Sequence, residues 1–328
     1  MTPKVSILVP VYNTALFLEK CVRSLFEQTF KELEFVFVDD GSRDNSLDIL
    51  NQIIVQYPER QPNVIVNRHE KNKGVAATRN TLVSLASAEY LCFVDSDDYI
   101  DKDAVELLYK EAIQKRADIV VCDIAREWGK SVKIQRLPYE ADPLAYTQQL
   151  IAADTPAYCC AKLIRSNLYS QHDIACTEGV NILEDYHTVT RLAYFASSIA
   201  KIDKPLYHYV LYNASAATKS WNEKKLDNIL QSLTIVETFF NSRPDAGKFI
   251  VPLQKIKLKS KINLLMTFPP RLRDQIIRQF SDTGKVDMPL KLHEKIILRL
   301  ASTKNHCCLN VFIALYTNTI ALKKRFLG

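Results

Sequence analysis

Through its first 125 residues the chain switches between two hydrophobic periods. Short, nearly unbroken apolar runs read as buried strands: "VSILVPVY" from Val5, "LEFVFVDD" to Asp40, "NVIVNRH" to His69, "YLCFVDSDD" to Asp98 and "DIVVCDIA" from Asp118. Between them apolar residues return at helical spacing. Phe17, Leu18, Cys21, Val22, Leu25 and Phe26 mark one helix, with Asn13 or Thr14 as N-cap, and others are expected over 45–57, 74–86 and 102–116. Strands alternating with helices of this length predict an α/β fold, a doubly wound and mostly parallel sheet with helices on both faces. From about Lys224 the pattern is helical to the end. There Leu309, Phe312, Ile313, Tyr316 and Ile320 form one apolar stripe, opposed by Asn310, Ala314, Thr317, Asn318 and Ala321.

That topology locates the acidic residues. Open α/β sheets bind ligands beyond the carboxyl ends of their strands. Tyr12 and Asn13 end the first strand, Asp39 and Asp40 the second, and Asp95, Ser96, Asp97 and Asp98 the fourth. A lone strand-end aspartate is usually a turn former or helix cap, but two clusters on one edge point to a ligand. Taken as extended, the segment would turn Asp95 and Asp97 to the same side. The first strand–helix turn, "VYNTALF", has no glycine, and no GxxxxGK[ST] motif occurs, so a bound phosphate would be held by a cation rather than a glycine cradle. Mg²⁺ or Mn²⁺ needs one or two carboxylates and completes its shell with water and phosphate oxygens. A diphosphate held so becomes a good leaving group, which suits group transfer from a nucleoside diphosphate.

In this order, "VSILVPVYN", "FVFVDDGSRDNS", "NKGVAATRN", "YLCFVDSDD" and "LEDYHT" resemble the family 2 glycosyltransferases of GT-A fold, from Val5 to about Thr218. The resemblance implies an inverting, metal-dependent transfer from a nucleoside-diphosphate sugar, with UDP-sugar the common choice, to a glycan or lipid-linked glycan of a bacterial surface polysaccharide. It implies Pro10, Val11 and Tyr12 packing on the base, and Asp40, after Asp39, reading its ring N–H. Gly74 and Arg79 would border the nucleotide. Asp95, with Ser96 beside it, would lie near the ribose and sugar, and Asp97 would be the metal ligand. Glu184 and Asp185 match the acceptor-side pair, with Asp185 as general base; a bare Glu-Asp before a helix otherwise complements the helix dipole.

The match has gaps. Thr78, Thr81 and Ala88 stand where relatives have small residues or glycine, and Val210 stands where a lid arginine is expected. His208 beside it is a candidate for the metal or phosphate site, against the plainer reading of a histidine packed between tyrosines. Trp128 and Trp221 are candidates for stacking on a sugar. Other readings are a nucleotide-sugar-forming nucleotidyltransferase, which would want a glycine-rich basic loop after the first strand, and a non-catalytic protein that kept the fold.

Charge divides the chain. The net charge is +6. Residues 248–328 carry 16 Lys+Arg and 4 Asp+Glu, so the part before them is net acidic. We therefore expect a GT-A domain over 1–222, in halves 1–125 and 126–222, and a basic helical region over 223–328. The run from Asn305 to Leu322 is too rich in Asn and Thr for a transmembrane helix, so the basic region either packs on the domain or lies on an anionic membrane surface. Its aromatics are not interleaved with Lys and Arg as nucleic-acid binding requires. The eight cysteines include no CxxC pair and several sit in apolar runs, which points to reduced thiols and the cytoplasm, and the membrane alternative for the basic region would place the chain peripherally on the inner face of the cell membrane. The N-terminus runs almost straight into "VSILVPVY", too short and too strand-like to be expected as a signal peptide.

Overall fold

The structure is a computed structural model that describes residues 2–129, 131–212, 222–281, 288–303 and 306–327, with side chains through 319. Trp221 and the 213–218 end of the expected lid lie outside the described residues.

Nine strands form one sheet in the order β3-β2-β1-β4-β8-β6-β9-β5, with β7 on β6. The strands are β1 (Val5–Val11), β2 (Leu33–Asp39), β3 (Val64–Arg68), β4 (Tyr90–Phe93), β5 (Tyr99–Ile100), β6 (Ile119–Trp128), β7 (Ser131–Gln135), β8 (Lys162–Arg165) and β9 (Ile199–Val210). The first half is as expected: β1, β2, β3 and β4 pair in parallel. β1 and β2 are buried on both faces, as central parallel strands must be. Between them run α1 (Ala15–Phe26), α2 (Ser46–Ile54), α3 (Val75–Leu85) and α4 (Ala104–Lys115), each within a few residues of its expected range. α1 buries Leu18, Cys21, Val22, Leu25 and Phe26, and Phe26 meets Phe35 edge-on at 4.9 Å.

Beyond β4 the sheet is mixed. β8 inserts antiparallel between β4 and β6, so "DIVVCDIA" does not adjoin the fourth strand; β9 then runs parallel to β6 and β5 antiparallel to β9. "KLIR" is four residues with a lysine at its start, too short to show a period. This half also carries α5 (Pro143–Ile151), α6 (Asn167–Ser170) and α7 (Glu184–Phe195).

The chain forms two compact units. One comprises 1–216 with 228–239, the other 217–227 with 240–328, so α8 (Glu223–Asn241) contributes to both. The second unit holds α9 (Ile250–Thr267), α10 (Arg273–Gln279), α11 (Leu292–Ser302) and α12 (His306–Leu327) around Phe249, Leu265, Phe268, Ile276, Ile297, Leu309 and Ile313. Arg273 Nε donates to Leu265 O at 3.1 Å. On α12 Leu309 and Ile313 are buried and Phe312 and Tyr316 half-buried, which matches the expected stripe, while Val311 and Leu315 are exposed.

Gly74 is the tightest backbone position near the rim. It has φ +92°, and a Cβ there would lie 2.4–2.6 Å from the Asn181 side-chain amide. Gly74→Ala is therefore expected to cost about 1–3 kcal/mol in urea unfolding, through strain and collision together. Adding Asn181→Ala removes the collision but not the strain, so the pair should be non-additive. A Gly74→Ala protein as stable as the parent would refute the account.

Candidate active site

The carboxyl ends of β1, β2 and β4 bring three loops to one rim. Asp39 closes β2 and is fully buried. Its Oδ1 accepts from Ser42 N at 3.1 Å, and its Oδ2 makes no hydrogen bond although Arg68 Nε lies 3.0 Å away. Asp40 faces the other way and clamps the loop before α3. Its Oδ1 accepts from Lys73 N at 2.9 Å and lies 2.7 Å from His69 Nδ1; its Oδ2 accepts from Gly74 N at 2.8 Å. Both oxygens of Asp40, the residue expected to read the base, are thus engaged within the protein. Of the expected base-packing residues, Val11 is buried and accepts from Asp40 N at 2.8 Å, Pro10 is half-buried and Tyr12 is exposed.

Asp95 to Asp98 is not extended. Asp98 N donates to Asp95 O at 2.9 Å, closing a tight turn, so the strand alternation expected to align Asp95 and Asp97 does not apply. Ser96 is buried and accepts from Thr14 Oγ1 at 3.0 Å. Tyr207 on β9 ties the turn down: its hydroxyl donates to Asp98 Oδ2 at 2.6 Å and accepts from Asp95 N at 3.2 Å, while Val210 N donates to Asp98 Oδ1 at 2.7 Å. Val210, in place of the expected arginine, serves the turn through its backbone. Burial, then Asp95 and Asp97, push the Asp98 carboxyl well above the usual range, against the Tyr207 and Val210 hydrogen bonds.

Arg79 joins this turn to the start of α7. It lies on α3, is buried, and packs its guanidinium over Phe93 at 5.2 Å. Nη2 donates to Asp95 Oδ1 at 3.1 Å and lies 3.4 Å from Asp185 Oδ1; Nε lies 3.6 Å from Glu184 Oε1. Glu184 and Asp185 occupy the first turn of α7, so they also complement its dipole. Burial alone would loosen the arginine's proton, but Asp185 and Asp95 outweigh it and the guanidinium holds its charge more firmly than usual. Burial, with Asp185 adding and Arg79 opposing, raises Glu184 to about 8. Asp95, 28% exposed, is raised by burial to about 6, with Arg79 opposing and Asp185 and Asp97 adding.

Sequence reasoning missed the residues that hold α3 to the α7 loop. Asn80 Nδ2 donates to Cys176 O at 2.9 Å and Cys176 N returns a bond to Asn80 Oδ1 at 2.8 Å. Ala76 N donates to Asn181 Oδ1 at 3.1 Å. Lys162 was missed too: it is fully buried, its Nζ makes no hydrogen bond, and burial lowers its pKa despite Cys160, Cys159 and Asp185. "NKGVAATRN" contains Asn80, but nothing in it marks a partner 96 residues away.

His208 is corrected. Along β9 it alternates with Tyr207 and Tyr209, so it points to the opposite face of the sheet from the acidic turn. Its nitrogens lie 3.0 Å from Glu127 and 2.8 Å from Asp101, and its ring stacks on Tyr99 at 4.2 Å. It belongs to a packed cluster, not to a metal or phosphate site. The eight cysteines are all free thiols, six of them buried.

These shifts set a pH dependence. Glu184 and Asp95 keep protons in the folded chain at pH values where the unfolded chain has released them, so their contribution to stability is present below about pH 4 and lost as pH rises through about 6 and then 8. The urea midpoint is expected to fall between pH 5.5 and 8.5, and Glu184→Gln, which cannot ionise, should shrink that fall. An equal fall in both proteins would contradict the burial of this carboxyl.

Residues 6–168 match the model of the family described as "Glycosyl transferase family 2". Over 232 residues the chain is 31% identical to the Bacillus subtilis (strain 168) "Putative glycosyltransferase EpsH", covering 69% of this chain and 65% of that protein. Over 238 residues it is 30% identical to the same organism's "Uncharacterized glycosyltransferase EpsJ", covering 70% and 67%. Among solved structures, S. aureus TarS 1-349 in complex with UDP-GlcNAc matches with a TM-score of 0.76 at 21% identity, covering 96% of this chain and 92% of that one, a likeness of fold. The rim of β1, β2 and β4 with its acidic turn, the arginine of α3 and the acidic start of α7 thus sit in a chain that belongs to family 2 of the glycosyltransferases, with the GT-A fold.

Proposed function

We propose that the protein is an inverting, metal-dependent glycosyltransferase that moves a sugar from a nucleoside-diphosphate sugar, a UDP-sugar, to a glycan or lipid-linked glycan in surface polysaccharide synthesis. The observation that carries the reading is the reach of one guanidinium: Arg79 touches Asp95 on one side and Glu184 and Asp185 on the other. Donor-side and acceptor-side carboxylates then face a common space, as a direct displacement requires. The UDP-GlcNAc held by TarS supports a uridine nucleotide. A nucleotidyltransferase is disfavoured by the β1–α1 turn, whose Tyr12, Asn13 and Thr14 offer neither glycine nor positive charge.

In this reading Pro10, Val11 and Tyr12 line the base, and Asp39, with its unbonded Oδ2, takes the ring N–H beside Asp40. Asp40 holds Gly74 and the start of α3 in place. Asp95 and Ser96 lie by the ribose and sugar. Among the described residues no group of three or more His, Cys, Asp or Glu side chains is arranged to hold a metal ion. The residues fit Mn²⁺ or Mg²⁺ nonetheless, because such an ion takes one or two carboxylates, here Asp97 with Asp95 beside it, and leaves the rest of its shell to phosphate and water. When bound, the ion offsets the charge that grows on the leaving diphosphate. Asp185 accepts the proton of the attacking hydroxyl. Its Oδ1 is buried, makes no hydrogen bond and lies 3.4 Å from Arg79 Nη2, so the protein leaves its accepting capacity largely unused. Glu184 and Arg79 fix its position.

Two variants separate the roles. Asp97→Asn should abolish transfer and remove the Mn²⁺-dependent rise in melting temperature caused by UDP. Asp185→Asn should keep that rise while the rate falls about 100-fold or more. Near-normal turnover by Asp97→Asn with Mn²⁺ would refute the metal role, and equal loss of UDP binding by Asp185→Asn would move that residue to the donor side.

The second unit is proposed to rest on an anionic membrane. No described helix is long and apolar enough to cross one. Residues 248–328 are strongly basic, and α12 exposes Val311 and Leu315 one turn apart, the combination an interfacial helix uses. Co-sedimentation of the full chain with anionic vesicles at low salt, and its loss on truncation near residue 247, is the expected result. A full chain that stays in the supernatant would exclude membrane docking.

A further inference from the structure

The acidic face of the sheet continues past the turn into a group of side chains that none of the roles above uses. In the β6–β9 pairing Ile124 lies opposite Tyr207 and Arg126 opposite Tyr209. Directly paired residues share a face. Arg126 and Tyr209 therefore stand on the face where Tyr207 meets Asp95 and Asp98, one step further along the strands. Trp128 follows on that same face. The Arg126 guanidinium lies 5.7 Å from the Trp128 ring and 5.6 Å from the Tyr209 ring. Trp128 is 46% exposed, and Arg126 and Tyr209 are half-buried.

Arg126 is unusual in what it lacks. Its Nε is buried without a hydrogen-bond partner, and among the described residues no carboxylate pairs with it. The adjacent Glu127 points to the other face, where it is taken up by Tyr99 and His208. A charged fork between two aromatic rings, open to solvent on one side and without a counter-ion among the described residues, is suited to an anion from outside. Guanidinium binds phosphate and carboxylate alike through paired, parallel N–H bonds. Exposed aromatic rings cover the apolar face of a sugar while their polar edges stay wet.

The position assigns the anion to one substrate. The base is proposed to lie at the ends of β1 and β2 and the ribose by the turn after β4, whereas β6 and β9 lie beyond β8 in the other half of the sheet. Burial, then Cys160, raises the phenol of half-buried Tyr158, with Arg126 opposing and Asp185 adding least, so this tyrosine lies in the field of both the arginine and the proposed base. We infer that Arg126, Trp128 and Tyr209 form a subsite for an acceptor sugar bearing an anionic group, a phosphate ester or a carboxylate. The inference rests on the glycosyltransferase reading, since it is that reading which makes this half of the sheet the acceptor side.

The test uses the full chain with UDP and Mn²⁺ present to fill the donor side. Glucose 1-phosphate, glucuronate and methyl glucoside are titrated by calorimetry or ligand-observed NMR. At least one anionic sugar should bind about tenfold or more tightly than the neutral one, the scale of a charge-assisted pair. Phosphate-bearing and carboxylate-bearing sugars bound alike, or either alone, support the subsite and identify the group. Arg126→Met should abolish the preference while leaving methyl glucoside binding, UDP binding and the melting temperature near parental values. Arg126→Lys, which keeps the charge but loses the fork, should keep only part of it. Equal affinities for all three sugars in the parent, or a preference that survives Arg126→Met, would overturn the inference. If UDP with Mn²⁺ fails to bind the parent, the glycosyltransferase reading falls instead, and the preference is judged from the same titrations without nucleotide.

Discussion

One buried guanidinium sets the geometry of this site. Arg79 faces Asp95, Glu184 and Asp185 within 3.6 Å, yet only one of these contacts is a hydrogen bond, and its Nε and Nη1 have none. Such an arrangement is expensive in isolation, because each ion gives up its hydration and the pairing returns only part of it. It persists because removing either sign is worse: without the arginine three carboxylates would crowd a poorly solvated pocket, and without them a buried cation would stand alone. The protein relieves part of the excess by protonation, since burial keeps Glu184 largely neutral near neutral pH. Incomplete satisfaction is also what a substrate site needs, as atoms already saturated within the protein have nothing left to offer a ligand.

For Arg79 to meet both sides, α3 must be held at both ends. Asp40 fixes the loop leading into it through two backbone N–H groups, Asn181 caps its first turn, and Asn80 grips the Cys176 backbone with both amide atoms. Gly74 lets these meet, because a side chain there would occupy the space of Asn181. The chain thus places its polar side chains in backbone-binding roles around one helix, and the charged residues on that helix and its neighbours inherit their precision from them.

What the sequence shows and hides follows from the range of the interactions. β1 to β4 and their helices were legible because each is specified by its own period and buries a continuous apolar run. The clustering of Asp39, Asp40 and Asp95 to Asp98 on one rim followed from topology alone. β8 was illegible because four residues cannot display a period, and with it went the mixed half of the sheet and buried Lys162. The Asp95–Asp98 segment was read as extended from its apolar approach, while its turn is set by Tyr207, more than a hundred residues away. His208 was placed near the phosphate from its neighbours in sequence, but strand alternation sends it to the far face. Asn80 and Asn181 carry no local signal, since an asparagine that grips backbone looks the same in sequence as one exposed to water.

The mixed half of the sheet gives the rim two sides of different charge, as the proposed two-substrate reading requires. A wholly parallel sheet would direct every strand's carboxyl end to the same edge, with successive helices crowding the space beyond β4. Antiparallel β8 instead brings the chain back along β4, so that Cys160 bridges to Phe93 beside the acidic turn and Lys162 is carried into the core between β4 and β6. β6 and β9 then extend the surface past the turn, and the hydroxyl of Tyr207 joins the two halves at Asp98. The electrostatics divide along the same line. On the β1–β4 side carboxylates outnumber cations, so a diphosphate would meet repulsion unless a divalent ion accompanied it. On the β6–β9 side Arg126 stands without an acidic partner among the described residues, and an anion there needs no metal. The two halves therefore present opposite demands on charge along one continuous face, and under the proposed reading this would keep a donor and an acceptor from exchanging places.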